Sequence, residues 1–354
     1  MKRKTSEIRR AINGKKKAPE KNGGFLPTGI IPLNLALSDK ASVGGYRKGT
    51  INNVIGDSHA GKSIEVLSML AEMANNSAYD EYDLIYDDAE YASEFDMDYL
   101  FGTKMSRRLR IINSETVQDF IANFERAIQS KKKFVYVLDS LDALSSQEEQ
   151  ERYAKHLKNV DAGKNEDALG TSYKTERARY FSELLRKFKA SIKKTDSLLI
   201  VISQVRENLN AGTFGSKKTR TGGKALDFYC TTIHWLIREK YHKDGKIVIG
   251  SHVKVDISKN KVTGKRRQVE FDIYYDLGID NVSSMVDLLV DLGTWKKNGA
   301  KINAKDIEFN GYRKALIKYI EENDLEKKVA RLCYSGWNER EESLKLSDRK
   351  RRYQ

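Results

Sequence analysis

Short, nearly continuous apolar runs recur along the first two thirds of the chain, as expected of strands that are buried on both faces. These runs lie at residues 50–55, 84–86, 133–138 and 198–202. Apolar residues at helical spacing lie between them, from Ile64 to Met73 and from Phe181 to Ile192. The alternation predicts an α/β fold with a doubly wound, mostly parallel sheet.

Beyond residue 230 the pattern changes. The run 231–238 and the alternating segment 253–257 predict two further strands, with a turn at residues 243–246 between them. Helical patterns follow at 286–293 and 312–320. We therefore expect three parts: a basic N-terminal arm over 1–24, a core over 25–277, and a small, mostly helical C-terminal domain over 278–354.

Residues 56–63 carry the most specific motif of the chain, a Gly-x-x-x-x-Gly-Lys-Ser phosphate-binding loop between a predicted strand and a predicted helix. Glycines at both ends let backbone N–H groups surround a phosphate, the lysine reaches the β- and γ-phosphates, and the serine hydroxyl ligates Mg²⁺. The candidate nucleotide-binding residues are Gly56, Asp57, Ser58, His59, Ala60, Gly61, Lys62 and Ser63. The cofactors expected from this motif are ATP and Mg²⁺.

Carboxylates close two of the predicted strands. The run 84–86 leads into Asp87-Asp88-Ala89-Glu90, and the run 133–138 ends in Asp139. Ligands of open α/β sheets bind at the carboxyl ends of the strands. Asp139 is therefore a candidate for holding the Mg²⁺ shell, and Glu90 is placed where a carboxylate polarises water.

Charge adds a partner to this picture. The formal net charge is +14, and the first 24 residues hold nine Lys or Arg against Glu7 and Glu20. Such an excess favours a polyanionic partner, and nucleic acid ranks ahead of an anionic membrane because no strongly amphipathic basic helix stands out. The basic arm is either a solubilising tail or a docking segment.

Three other features limit the function classes. No apolar run approaches the length of a membrane span, and the N-terminus lacks the apolar stretch of a signal peptide, so we expect a cytoplasmic protein. Cys230 and Cys333 are isolated, which argues against a disulfide framework. The five histidines show no helical metal spacing, so a histidine metal site is not expected.

A glycine-rich basic loop follows the strand 198–202, in the region 206–224. Glycines allow close approach to phosphates, lysines and arginines release counterions, and an aromatic residue packs against or between bases. The candidate DNA-binding residues are Arg206, Phe214, Gly215, Lys217, Lys218, Arg220, Gly222 and Gly223.

These motifs and their order resemble the RecA family of ATPases, with details nearer the phage UvsX type. The resemblance is carried by the Thr28-Gly29 segment ahead of a Gly44-Gly45 turn, the phosphate loop, Asp-Ala-Glu at 88–90 and Thr-Gly-Gly-x-Ala-Leu at 221–226. It covers roughly residues 25–295 and implies a RecA-like core.

The resemblance also implies roles for single residues. Glu90 would activate the attacking water, and Gln204 would sense the γ-phosphate, although Ser203 stands where the family has Asn. Lys259 and Lys261 would reach the nucleotide of a neighbouring subunit. Tyr99 is a candidate for stacking on adenine, although it lies farther from Glu90 than in the family. Residues 145–176 would form a first DNA-facing loop, beside the second at 206–224.

The resulting interpretation is an ATP-dependent DNA recombinase, active in recombination, repair and recombination-dependent replication. It would polymerise on single-stranded DNA, pair it with double-stranded DNA and work beside single-strand-binding and mediator proteins in a bacterial cell or a phage-infected host. The alternative is a RecA-fold hexameric helicase, forming rings, or another nucleotide-dependent protein without strand exchange.

Overall fold

The computed structural model describes residues 24–41, 43–92, 96–161, 173–207, 218–220, 223–346 and 349. The strands of this part of the chain are β1 Phe25–Leu26, β2 Tyr46–Arg47, β3 Thr50–Gly56, β4 Tyr82–Asp88, β5 Leu109–Ile112, β6 Lys133–Asp139, β7 Leu198–Glu207, β8 Lys218–Arg220, β9 Thr232–Asp244, β10 Ile247–Asn260, β11 Gln268–Tyr274, β12 Gly278–Asp280, β13 Lys296–Asn298, β14 Lys301–Ala304 and β15 Phe309–Tyr312. The α-helices are α1 Ile31–Ser38, α2 Lys62–Ala74, α3 Met97–Phe101, α4 Thr103–Arg108, α5 Val117–Gln129, α6 Gln147–Asp161, α7 Tyr173–Lys194, α8 Gly223–Tyr229, α9 Asn281–Asp291, α10 Arg313–Glu322 and α11 Glu326–Ser343.

One large sheet organises the core, in the order β12-β11-β10-β9-β3-β7-β6-β4-β5, and β8 pairs with β7 beside this path. The strands β9, β3, β7, β6, β4 and β5 run parallel to one another, and β10, β11 and β12 extend the sheet beyond β9 in antiparallel pairs. This arrangement confirms the predicted α/β class with a mostly parallel sheet.

Helices cover both faces of the sheet. Side chains along each strand alternate between the two faces, so each strand contributes to two cores. Val54 packs with α2 on one face, and Ile51 and Ile55 pack on the other face with α5 and α7. An aromatic cluster that includes Phe120, Phe124, Phe134, Tyr136 and Phe181 fills this second core. The continuous apolar runs of the sequence follow from burial on both faces.

The C-terminal region combines helices α9 to α11 with a small antiparallel sheet, β13-β14-β15. The helices agree with the mostly helical prediction, whereas the hairpin strands were not foreseen. β12 continues the main sheet, so the core extends through residue 280. Trp337 Nε1 donates a hydrogen bond of 3.0 Å to Asp39 and attaches α11 to the core.

The segment 145–176 differs from the loop expected from the sequence. Its described part forms α6 and the start of α7, and residues 162–172 lie outside the described part. α6 carries charged residues along its length and few apolar ones. The sequence therefore shows no pattern of buried positions that would predict a helix there. In the described part of the chain, no helix has the length and apolar character to cross a membrane.

Candidate nucleotide-binding site

The phosphate loop joins β3 to α2, and its glycines occupy positions that larger residues do not fit. Gly61 caps α2 with φ of +92°, and a Cβ added there would lie 2.3 Å from Cδ1 of Ile273. A Cβ on Gly56 would lie 2.9 Å from the carbonyl oxygen of Leu236. The backbone is therefore free to approach a ligand at the N-terminus of α2, where helix geometry favours a phosphate.

Lys62 lies folded into the loop. Its Nζ donates hydrogen bonds to the carbonyl oxygens of Gly56 at 3.1 Å and Asp57 at 2.9 Å. Burial lowers the pKa of Lys62, and the carboxylates of Asp139 and Glu90 act against this shift. The ammonium thus lies in the cradle, hydrogen-bonded to two backbone carbonyl oxygens, which fits an anionic ligand that would take over those hydrogen bonds.

The residues expected to hold Mg²⁺ meet directly. Ser63 Oγ donates a hydrogen bond of 2.5 Å to Asp139 Oδ2, and Tyr86 OH donates a second one of 2.5 Å to the same oxygen. Burial raises the pKa of Asp139, whereas these two hydrogen bonds lower it. Hydroxyl and carboxylate oxygens are hard ligands, so this donor set fits Mg²⁺.

Glu90 lies on the segment after β4 and lines the same cavity as Ser63 and Asp139, the two candidate metal ligands. Its Oε1 accepts hydrogen bonds from Gln204 Nε2 at 2.8 Å and from Ser140 Oγ. Its backbone N–H donates to the carbonyl oxygen of Asp139 at 3.3 Å. The exposed carboxylate is thus oriented from two neighbouring strands, as a water-activating group requires.

A cavity of about 820 Å³ opens over the loop. Its walls include Lys62, Glu90, Asp139 and Gln204, together with Tyr275, which is 61% exposed. Tyr99 lies on the short helix α3, 68% exposed, and is not among the lining residues, although its neighbour Leu100 is. The cavity therefore joins the polar cradle to an aromatic wall.

Sequence reasoning missed several residues of this site. Tyr86 was read only as part of an apolar strand, yet its hydroxyl contacts Asp139. Arg238 donates to the carbonyl oxygen of His59 at 3.1 Å and lies over the ring of Tyr241. Tyr275 immediately follows β11. The sequence signal that could have identified it is an aromatic residue with a hydroxyl group next to a core strand.

The candidate DNA loop begins on β7, immediately beyond Gln204. β7 pairs antiparallel with β8, so that Arg206 faces Thr219. The Arg206 guanidinium contacts Asp142 at 3.0 Å. Arg220 is 7% exposed in its side chain and contacts Asp227 at 2.5 Å, so its charge is held inward.

The other candidates in this loop are less fully described. The backbone of Lys218 lies on β8, and Gly223 begins α8. Phe214, Gly215, Lys217 and Gly222 lie outside the described residues.

Lys259 and Lys261 lie away from the phosphate loop of their own subunit. Their ammonium groups donate to the carbonyl oxygens of Asp227 and Phe228 at the end of α8. Burial lowers the pKa of Lys259, and the charge of Lys261 adds to this effect. Strand register places Lys259 level with Asn53, three residues, or about 10 Å, from Gly56 along the strand direction, and β9 lies between its strand and β3.

A phosphate loop at the carboxyl edge of a mainly parallel sheet, with a carboxylate on the neighbouring strands, defines the class of phosphate-loop α/β nucleotide-binding proteins. Within that class, the chain belongs to the RecA family: the model of the RecA N-terminal domain matches residues 12–280. Protein RecA of Bacteroides thetaiotaomicron is 30% identical over 319 residues, covering 89% of this chain and 88% of the relative. Protein RecA of Clostridioides difficile is 30% identical over 323 residues, covering 90% and 85%, and that of Bartonella henselae is 32% identical over 278 residues, covering 78% and 72%.

Proposed function

We propose that the chain is an ATP-dependent DNA recombinase that polymerises on single-stranded DNA, pairs it with homologous double-stranded DNA and exchanges strands. The observation that supports this most is the hydrogen bond between Glu90 and Gln204, because Gln204 lies on the strand that leads directly into the candidate DNA loop. A change at the nucleotide thereby has a covalent path of two residues to Arg206, which pairs with Thr219 on β8. Membership of the RecA family agrees with this proposal.

ATP with Mg²⁺ supplies the phosphoryl group and the metal charge when bound. Lys62 would bind the phosphates, because its ammonium already lies within the cradle, hydrogen-bonded to the carbonyl oxygens of Gly56 and Asp57. Ser63 and Asp139 would ligate the metal, and Tyr86 would hold the Asp139 carboxylate in place. Glu90 would orient water and accept its proton at the carboxylate, with Ser140 and Gln204 fixing the carboxylate position.

Lys259 and Lys261 are proposed to complete the site of the next subunit. Within their own subunit their ammonium groups turn to α8 and not to the phosphate loop, and a head-to-tail assembly would bring them to the nucleotide of a neighbour. Their present partners are carbonyl oxygens of α8, the helix that follows the DNA loop. This arrangement links the subunit interface to the DNA loop.

A hexameric helicase or another DNA-dependent ATPase without strand exchange is the second candidate, since one core serves several functions. Incubation of the protein with circular single-stranded DNA and a homologous linear duplex, with ATP and Mg²⁺, tests the choice. The proposal expects joint molecules and, in electron micrographs with a slowly hydrolysed ATP analogue, helical filaments. Closed rings with duplex unwinding and no joint molecules would instead establish the helicase.

The remaining partners and the location follow from this function. We propose single- and double-stranded DNA as substrates, single-strand-binding and mediator proteins as helpers, and the cytoplasm of a bacterium or phage-infected host as the site of action. The resemblance to the phage UvsX type stays a prediction from the residues.

A further inference from the structure

Two histidines and an aspartate meet on the antiparallel part of the sheet, and none of the three is among the residues that line the nucleotide cavity. Asp272 Oδ1 lies 2.8 Å from His242 Nε2 and 2.7 Å from His252 Nδ1. The side chains are largely shielded, with exposures of 21% for His242, 14% for His252 and 5% for Asp272. Three ligand atoms of the kinds that Zn²⁺ prefers therefore converge at one point.

The local fold explains how residues on three strands reach each other. His252 on β10 and Asp272 on β11 are direct cross-strand partners, whereas His242 lies on β9 and faces Gly250. Gly250 also faces Tyr274 on β11, so no side chain stands between His242 and Tyr274, and their rings stack with centroids 5.0 Å apart. Register shifts of β10 against β9 occur on both sides of this group, and such bulges re-aim side chains.

The surroundings of the three residues match those of a metal site. Metal-binding histidines commonly donate their second ring N–H to a carboxylate, and His252 Nε2 lies 3.1 Å from Glu270 Oε2. The second oxygen of Asp272 faces Arg313 at 3.3 Å and Ser283 at 3.4 Å. His252 and Asp272 thus each have an outer partner that fixes their orientation, and the His242 ring is held by its stacking on Tyr274.

We propose that His242, His252 and Asp272 form a binding site for Zn²⁺ or a similar divalent transition metal, with an open fourth position. Metal bonds of 2.0–2.1 Å in a tetrahedron require ligand atoms about 3.3 Å apart, so the present contacts need to widen by about half an ångström.

The site would join three strands to the C-terminal region through Arg313, which also contacts Asp287 on α9 at 2.6 Å. Its sequence signal is weak because the two histidines are ten residues apart on different strands. Only the hairpin and its bulges bring them together, which is why spacing along the chain predicted no histidine metal site.

The test is a titration of the full-length protein with Zn²⁺ against a chromophoric chelator, with Mg²⁺ in excess as a competitor at the oxygen ligands of the phosphate-loop site. The wild type should bind one Zn²⁺ per chain. His242→Ala should lose this binding, Glu270→Gln should weaken it about tenfold, and His156→Ala, a histidine outside the cluster, should bind like the wild type. Equal binding by wild type and His242→Ala, or no saturable binding by the wild type, would overturn the proposal and leave a hydrogen-bonded cluster.

A second measurement does not depend on any variant folding. Co²⁺ in a site with nitrogen ligands and low coordination number absorbs strongly in the visible range. The wild type should show this absorption at one equivalent of Co²⁺, and added Zn²⁺ should abolish it. A spectrum identical to that of Co²⁺ in buffer would contradict the site.

Discussion

The side-chain amide of Gln204 lies 2.8 Å from the carboxylate of Glu90, although 114 residues separate them in the chain. β6 lies between β4 and β7, so the segment after β4 reaches across the end of β6 to meet β7. Gln204 also pairs in register with Gly56, the first residue of the phosphate loop. Gln204 therefore contacts Glu90, the candidate for water activation, lies next to the phosphate loop and precedes the candidate DNA loop.

Replacing Glu90 by Gln should remove hydrolysis and keep nucleotide binding. The amide preserves the shape and can still accept from Gln204, but it cannot take a proton from water. Phosphate release in the presence of single-stranded DNA should fall at least about 100-fold, while the affinity for a fluorescent ATP analogue stays within about twofold. Glu125→Gln, on the surface of α5, is the matched control. A collapse of nucleotide affinity would show that Glu90 is a binding residue.

The basic residues of the second loop should differ in their effect on DNA binding. Each lost phosphate contact on single-stranded DNA should reduce the slope of log affinity against log salt by about 0.7. Lys217→Ala/Lys218→Ala should therefore lower the slope by about 1.4, and the triple variant with Arg220→Ala should lower it little further, since Arg220 is held by Asp227. Fluorescence anisotropy at several salt concentrations measures these slopes. An unchanged slope in the triple variant would remove this loop from the DNA interface.

Mixing two inactive variants should restore activity if Lys259 and Lys261 act in the neighbouring subunit. Glu90→Gln supplies intact lysines, and Lys259→Ala/Lys261→Ala supplies an intact Glu90. Random head-to-tail assembly of equal amounts makes about a quarter of the interfaces complete. DNA-dependent phosphate release should then rise above that of either variant alone. No recovery, in mixed assemblies verified by cross-linking, would place the lysines outside the catalytic site.

The attachment of α11 to the core should depend on acidity. Hydrogen bonds from Arg267 hold the pKa of Glu341 below its ordinary value of 4.5, and Lys265 contacts the same carboxylate at 2.6 Å. Because the pKa is lowered in the folded state, this stabilisation is present above pH 4.5 and disappears as the pH falls through the folded pKa. The Tm of Glu341→Gln should lie below the wild type near pH 7 and approach it in acid. A difference that is independent of pH would contradict the ion pair, and Glu326→Gln serves as control.

The sequence predicted the parts of the fold that local patterns encode. β3, β4, β6 and the start of β7 are apolar runs, and the phosphate loop follows from residue types at fixed spacing. The candidate site was foreseen where these runs end in Asp139, Glu90 and Gln204, since strand ends share one edge of the sheet.

Features that depend on register were not predictable. The role of Tyr86 requires knowing which face of β4 meets Asp139. The His242, His252 and Asp272 cluster requires the bulges between β9 and β10. α6 carries too few apolar residues for a burial pattern, and β13 to β15 are too short, at three or four residues, to show a periodicity.

The most direct test of the central claim, that Gln204 couples the nucleotide to the DNA loop, is the affinity for single-stranded DNA measured with and without a slowly hydrolysed ATP analogue. In the wild type the analogue should strengthen binding by about tenfold or more, a coupling free energy of about 1.4 kcal/mol. In Gln204→Ala the analogue should still bind, but the two DNA affinities should become equal, while Gln268→Ala behaves like the wild type. A Gln204→Ala protein that keeps the full wild-type ratio would contradict this coupling.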